Sequence, residues 1–335
     1  MKWIWALTLA SAPAWGAIGG MVLNGTTGQP QANIPVILMK MGAAGPEDAG
    51  NGKTDAQGKF SLNEETSTQG PTLVRAIVDG VTYTKVIPPG TPSEGLTLEV
   101  YNAGKEKGSA KVSKHMIFFD PMPDGLKISE AYLFTNDGKL TWNDPGDGTL
   151  HFYLPPSAQG KVRIDATAPG GMPLQEAPVK TNKPDIYKVN FAVRPGETRF
   201  DLSYSATYKE GEAFSGKVAT EDENTYLIVP KGVTLTGDNL NDMGAEPRTQ
   251  AHIYGLKDTS YKITLAGTAE AAPADAGGDS SGGSQDGSPQ IQEMMPRLYT
   301  KVGPILGLAF GILALGFILL YRTPSAKESH DSGQR

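Results

Sequence analysis

Residues 187–193 read YKVNFAV, so that Tyr, Val, Phe and Val alternate with Lys, Asn and Ala. A period of two places the larger apolar side chains on one face of an extended strand. The same alternation occurs at 150–154 (LHFYL), 200–204 (FDLSY) and 261–265 (YKITL). One face of each segment can cover a core while the other meets water, a pattern typical of antiparallel sheets.

The composition of the whole chain also favours a β protein. Of its 335 residues, 41 are glycine and 25 are proline, and short apolar runs are separated by Asn, Asp, Gly and Pro. This spacing is typical of sandwiches and barrels. The chain has no cysteine, so neither disulfides nor thiolate metal sites stabilise it. We therefore predict an all-β fold with two β-sandwich domains.

The segment 302–321, VGPILGLAFGILALGFILLY, contains no charged residue. A helix rises about 1.5 Å per residue, so twenty residues span roughly the 30 Å of a hydrocarbon core. We predict a transmembrane helix at 298–322 and a cytoplasmic tail at 323–335. Positive charges flanking the helix favour this orientation only weakly.

A glycine stripe marks one face of this predicted helix. Gly303, Gly307 and Gly311 recur every four residues, and small residues at this spacing let two membrane helices approach closely. The stripe predicts a homodimer or a protein partner bound through the helix. The alternative is that glycine is simply frequent in membrane helices.

The N-terminal residues 1–17 resemble a secretory signal peptide. Lys2 precedes a short apolar run, and small residues suitable for cleavage follow it. An uncleaved anchor is the alternative, although the apolar run is shorter than a membrane span requires. Export followed by a C-terminal span leaves the intervening chain outside the cytoplasm. We predict a single-pass protein of a bacterial cytoplasmic (inner) membrane, with its N-terminal domains in the periplasm or at the cell surface.

Shifts in composition divide the exported part of the chain. Segments rich in Lys, Gly and Ser or in Ala, Gly, Ser, Asp and Pro cannot bury enough apolar surface to fold alone. The predicted divisions are a first β-sandwich at 18–102, a hinge at 103–114, a second β-sandwich at 115–265 and a disordered linker at 266–297.

The first predicted domain is recognisable from five short pieces: 20–22 (GMV), 28–30 (GQP), 35–38 (PVIL), 54–60 (TDAQGKF) and 73–78 (LVRAIV). With these pieces it resembles the carboxypeptidase regulatory-like domain, a transthyretin-like or Cna-B-like β-sandwich. The two predicted sandwiches are therefore expected to be Ig-like or transthyretin-like. In its most telling block Asp55 and Gly58 make a tight turn, and Phe60 enters the core from the strand that follows. The segment 41–52 exceeds the usual hairpin of this family and is expected to form a long loop.

The resemblance implies a non-catalytic module, because this domain accompanies peptidases, receptors and surface proteins without catalysing a reaction. Residues 115–265 are similar to a second domain that accompanies the module in bacterial membrane-anchored proteins, but no function follows from that likeness. The segments involved are 116–118 (MIF), 126–130 (LKISE), 152–155 (FYLP) and 195–198 (PGET).

No catalytic motif emerges from the sequence. Residues 52–54 (GKT) end like a phosphate-binding loop, but the glycine required five residues earlier is Glu47. The histidines His115, His151 and His252 lack metal-ligand spacing. The net charge of −6 argues against a basic face for nucleic acid and against a polyanionic partner. We predict that the protein is not an enzyme and needs no cofactor.

Acidic loops and one tryptophan are the remaining candidates for a site. Asp144, Asp147, Asp238 and Asp242 carry oxygen ligands of the kind that Ca²⁺ prefers, although Asn, Asp and Gly are also the residues of hairpin turns. Trp142 lies in one of these loops, where its ring could stack on a sugar or pack against the core.

The alternation at 126–134 turns Glu130 to the same face as Ile128 and Tyr132. It is therefore either a buried acid or, more commonly, a residue at a strand edge or paired with Lys or Arg.

These features predict a non-enzymatic, membrane-anchored scaffolding or binding module that recognises a partner in the cell envelope. A carbohydrate- or polymer-binding receptor that uses Trp142 is the alternative. An accessory subunit of a peptide- or polymer-processing enzyme is a third, less favoured hypothesis.

Overall fold

The computed structural model describes residues 18–42, 45–67, 70–220 and 224–270. Regular structure in these ranges is all β, apart from one turn of 3-10 helix at Pro156–Ala158. Within the same ranges, no helix is long and apolar enough to cross a membrane. The predicted signal peptide, the predicted membrane helix with Gly303, Gly307 and Gly311, and the predicted tail lie outside the described residues.

Eight strands, spanning residues 18–100, build the first part of the fold, which we call the N-terminal β-region (residues 18–102). They are β1 (Ile18–Asn24), β2 (Gln29–Pro30), β3 (Pro35–Gly42), β4 (Gly45–Lys53), β5 (Lys59–Leu62), β6 (Thr72–Val78), β7 (Val81–Ile87) and β8 (Leu96–Val100).

Two sheets of this region enclose one hydrophobic core in a sandwich-like arrangement. In the first sheet β1 pairs in parallel with β8 and antiparallel with β5 and β2. The second sheet has the antiparallel order β4-β3-β6-β7. Side chains from both sheets, such as Val22, Leu38, Phe60 and Ala76, are buried together, since alternate residues of each strand face inward.

The predicted turn before Phe60 is confirmed. Asp55 Oδ1 accepts hydrogen bonds from the backbone N–H groups of Gln57 (2.9 Å) and Lys59 (2.8 Å). Gly58 has φ +72°, which only a residue without a Cβ adopts at no cost. Phe60 follows with only 5% of its surface exposed, so the strand after the turn places this ring in the core.

Two segments form strands where the sequence predicts none. Residues 45–53, expected to belong to a long loop, form β4 and pair with β3 across a bulge at Leu38 and Met39. The sequence of β4, GPEDAGNGK, has no apolar alternation. Backbone hydrogen bonds to β3, rather than buried side chains, hold this strand in the sheet. The segment 103–114, predicted as a hinge, likewise contributes residues to two strands.

The remaining sixteen strands form what we call the C-terminal β-region (residues 103–270). They are β9 (Ala103–Gly104), β10 (Ala110–Met122), β11 (Gly125–Asn136), β12 (Thr141–Trp142), β13 (Leu150–Tyr153), β14 (Arg163–Thr167), β15 (Leu174–Glu176), β16 (Val179–Lys180), β17 (Ile186–Val189), β18 (Gly196–Ala206), β19 (Ala213–Lys217), β20 (Thr225–Val229), β21 (Val233–Thr236), β22 (Leu240–Ala245), β23 (His252–Leu256) and β24 (Ser260–Gly267).

One eight-stranded sheet dominates this region, in the order β15-β14-β18-β11-β10-β20-β23-β22. Two three-stranded sheets, β13-β17-β16 and β19-β24-β21, contribute to the same core, and β9 pairs in parallel with β12. The predicted alternation is confirmed by burial. The residues concerned are Leu150, Phe152, Leu154, Val189, Phe191, Val193, Phe200, Leu202, Tyr204, Tyr261, Ile263 and Leu265.

Side chains connect the two β-regions directly. The hydroxyl of Tyr83 lies 2.9 Å from Thr141 Oγ1, and Thr26 Oγ1 donates to the carbonyl of Lys139 at 2.5 Å. The Arg194 guanidinium lies over the Tyr83 ring, 4.8 Å from its centroid. These contacts bridge the segment predicted as a hinge, so the chain on either side of it is tied together.

Candidate ligand-binding cleft

Backbone pairing positions Trp142, the sequence-predicted ligand residue. β12 pairs with β9, and Trp142 exchanges two backbone hydrogen bonds with Val193, of 3.0 and 2.9 Å. The Trp142 ring is half-buried, with its centroid 6.3 Å from that of Phe134. One part of the indole therefore packs on the core while the remainder is left for a neighbouring space.

That space is a cleft of about 880 Å³, which we call the Trp142 cleft. Four lysines line it with the tryptophan: Lys107, Lys180, Lys183 and Lys188. Asp147 is the acidic residue of the same lining among the residues that the structure describes, so this described part of the wall carries four positive charges and one negative. A cleft in which one sign of charge predominates concentrates ligands of the opposite sign.

Polar contacts order the loop that forms one wall. Asp144 Oδ1 accepts hydrogen bonds from the backbone N–H groups of Gly146 (2.9 Å) and Asp147 (3.2 Å). The Lys188 ammonium donates to the carbonyl of Gly146, and His151 Nε2 lies 3.7 Å from Asp147 Oδ1. The wall therefore has a defined shape before any ligand arrives.

The four aspartates predicted as weak calcium ligands do not form one site. Asp144 closes the turn just described, and Asp238 is exposed in a different loop. Asp242 Oδ1 lies 2.6 Å from His252 Nε2 and accepts from the backbone N–H of Gly244 at 2.8 Å. These hydrogen bonds lower the pKa of the Asp242 carboxyl. Across the described ranges, no three His, Cys, Asp or Glu residues are grouped closely enough to hold a metal ion.

A buried polar cluster surrounds Glu130, on the inner face of the eight-stranded sheet. Glu130 Oε2 lies 3.0 Å from His115 Nε2 and accepts from the Tyr132 hydroxyl at 2.8 Å. Glu130 Oε1 accepts from the Tyr204 hydroxyl at 2.6 Å. The His115 and Tyr132 rings stack with centroids 3.8 Å apart. Each of these four side chains is at most 5% exposed, which points to a structural role.

A β-bulge brings His115 into this cluster. The register between β10 and β11 shifts between Val112 and Lys114, so that His115 rather than Lys114 follows Val112 on the buried face. Burial, followed by the charge of Glu130, raises the pKa of the Tyr204 hydroxyl well above its usual value. Tyr204 therefore remains a hydrogen-bond donor. The alternation identified Glu130 as a possible buried acid and placed Tyr132 on the same face, but nothing local predicted His115 and Tyr204 as its other partners.

The lysines of the Trp142 cleft also escaped prediction. Lys107 precedes β10, and the other three lie in β16, in β17 and between them. Only the spacing of Lys180, Lys183 and Lys188 in one stretch of sequence hinted at a local positive charge. The net charge of −6 for the whole chain gave no indication of this local positive charge.

Comparisons with known proteins assign this chain to no family. No family model matches it, and no curated protein matches it significantly. The solved structure of native yeast LTA4 hydrolase aligns with 46% of this chain, at 7% sequence identity and a TM-score of 0.31. The alignment covers only 29% of that hydrolase chain. A likeness of this size carries no argument about fold or function.

Proposed function

We propose that this chain is a non-enzymatic binding and scaffolding protein of the bacterial cell envelope. In this proposal the segment 302–321 anchors it in the cytoplasmic membrane and residues 18–297 lie outside the cytoplasm. The N-terminal β-region then serves as a carboxypeptidase regulatory-like module. The apolar segment and the signal-peptide pattern support the anchoring. The confirmed Asp55 turn and the sandwich-like pair of sheets support the module.

We further propose that the Trp142 cleft binds an acidic carbohydrate polymer, which departs from the expectation, drawn from the net charge of the whole chain, that a polyanion is not a partner. One observation carries this proposal: a partly exposed tryptophan shares a cleft of about 880 Å³ with four lysines. The apolar face of an indole can stack on the C–H face of a sugar ring, and ammonium groups attract carboxylates on the same polymer. This favours the carbohydrate-binding alternative over recognition of a neutral or basic partner.

Replacing Trp142 by alanine is expected to weaken binding of polygalacturonate about tenfold or more, because truncating a central aromatic contact typically costs about 2 kcal/mol. The measurement is titration calorimetry on the full-length protein in detergent. Trp142→Phe keeps an aromatic face and should lose less. The double variant Lys180→Glu/Lys183→Glu should also weaken binding and make it less sensitive to salt, since salt screens exposed charges.

Lys127→Glu is the matched control, because Lys127 is an exposed lysine of β11 that does not line the Trp142 cleft. It should bind as the unchanged protein does. Equal affinity for the neutral polymer dextran, or unchanged polygalacturonate binding by Trp142→Ala, would show that the cleft does not recognise an acidic carbohydrate.

The proposed anchoring has its own test. We expect the full-length protein to stay in the membrane pellet after an alkaline carbonate wash, because twenty uncharged residues are stable in hydrocarbon. Deleting 302–321 should release it into the soluble fraction. Protease added to intact spheroplasts should digest residues 18–270. Release of the full-length protein by carbonate, or full protection from protease, would contradict the proposal.

A further inference from the structure

Two arginines line a second cleft, which lies between the β-regions and has a volume of about 490 Å³. Arg75 belongs to β6, opposite Thr84 of β7, and Arg194 follows Val193 of the C-terminal β-region. Both side chains are half-buried. We call this space the arginine cleft.

Neither guanidinium has an acidic partner among the described residues. Arg194 donates through Nη2 to the carbonyl of Thr82 and lies over the Tyr83 ring. The Nε atoms of Arg75 and Arg194 are both buried and have no hydrogen-bond partner. A buried donor without a partner destabilises the fold, and more strongly when the group is charged.

Burial disfavours the charged form of Arg194 and so lowers the pKa of its guanidinium. Glu176 lines the same cleft, but burial raises the pKa of its carboxyl and it forms no ion pair within the described ranges. Among the described residues, Glu176 therefore does not neutralise the positive charges of Arg75 and Arg194. A desolvated cation of this kind is normally paired with an anion.

Apolar side chains adjoin the two charges. Met172 and Leu174 line the arginine cleft and remain 38% and 49% exposed. A ligand that carries one anionic group and an apolar body would neutralise the arginines and cover these side chains together.

We propose that the arginine cleft binds a small organic carboxylate, whose charged group lies between Arg75 and Arg194 and whose apolar part contacts Met172 and Leu174. Arginine suits this ligand because its planar guanidinium matches the geometry of a carboxylate. The site is separate from the Trp142 cleft and does not depend on the function proposed for it. Because its walls come from both β-regions, its ligand would also hold them together.

Calorimetric titration of the full-length protein in detergent with hexanoate tests this proposal. We expect saturable binding that Arg75→Gln weakens about tenfold or more, since the variant loses a charge-assisted hydrogen bond to the carboxylate. Arg75→Lys should retain part of the affinity. Arg163→Gln, at an exposed arginine already paired with Asp165, and Trp142→Ala should both leave hexanoate binding unchanged.

Two further probes separate charge from apolar contact. Hexanol lacks the charge and should bind much more weakly than hexanoate, whereas inorganic phosphate lacks the apolar part and should not compete effectively. Because Arg194→Gln could disturb the junction with Tyr83, Arg75→Gln serves as the decisive variant. Absence of hexanoate binding, equal binding of hexanol, equal binding of phosphate, or unchanged affinity in Arg75→Gln would each overturn the assignment.

Discussion

Replacing Glu130 by alanine is expected to lower the free energy of unfolding by about 3–5 kcal/mol. The carboxylate accepts hydrogen bonds from the Tyr132 and Tyr204 hydroxyls and lies 3.0 Å from His115 Nε2. All three partners are buried. Without the carboxylate they keep their polar atoms in the core but lose the hydrogen bonds to Glu130, and the removed atoms leave a cavity. The measurement is urea unfolding of the full-length protein in detergent.

Two variants serve as controls for this prediction. Glu130→Gln preserves the shape and one acceptor oxygen, so it should destabilise the fold less than the alanine variant does. Glu197 lies exposed on β18, and Glu197→Ala should change the stability by no more than about 0.5 kcal/mol. A loss below about 1 kcal/mol for Glu130→Ala would mean that the buried cluster does not stabilise the sheet.

Replacing Gly20 by alanine should destabilise the N-terminal β-region by about 1–3 kcal/mol, the usual cost of overpacking. A Cβ atom at Gly20 would lie 2.2 Å from the carbonyl oxygen of Leu96 and 2.8 Å from its Cβ. Because one of these atoms is backbone, β1 and β8 must separate at the point where they pair in parallel. Thermal unfolding of the full-length protein, followed by circular dichroism, measures the change.

The adjacent glycine supplies a matched control. A Cβ atom at Gly19 would meet only the carbonyl oxygen of Phe60, at an ordinary 3.7 Å. Gly19→Ala should therefore be neutral or slightly stabilising, because alanine restricts the unfolded chain. If both variants lowered the unfolding temperature equally, the close approach of β1 to β8 at Gly20 would not be the cause.

Within the described residues, predictions from the sequence held where a segment carries its own alternation or turn pattern. The alternation at 200–204 became the buried face of β18, and Asp55 with Gly58 formed the expected turn. They failed at β4, whose residues lack any alternation and whose place is set by pairing with β3. At 103–114, where polar composition suggested a hinge, residues of β9 and β10 take part in strand pairing that the composition did not indicate. Backbone hydrogen bonds between strands form with most side chains, so composition alone does not reveal where they occur.

The sequence by itself determined the all-β class and the faces that form the cores, because a period of two fixes burial from neighbours two residues away. The sequence, through its uncharged segment 302–321, is also the basis for the expected membrane anchor. Only the tertiary structure decided that Trp142 shares a cleft with four lysines and that Arg75 and Arg194 line another. These groups come from segments far apart in the chain, and the pairing of strands determines where they meet. Register also decides that His115 faces Glu130, through the bulge in β10.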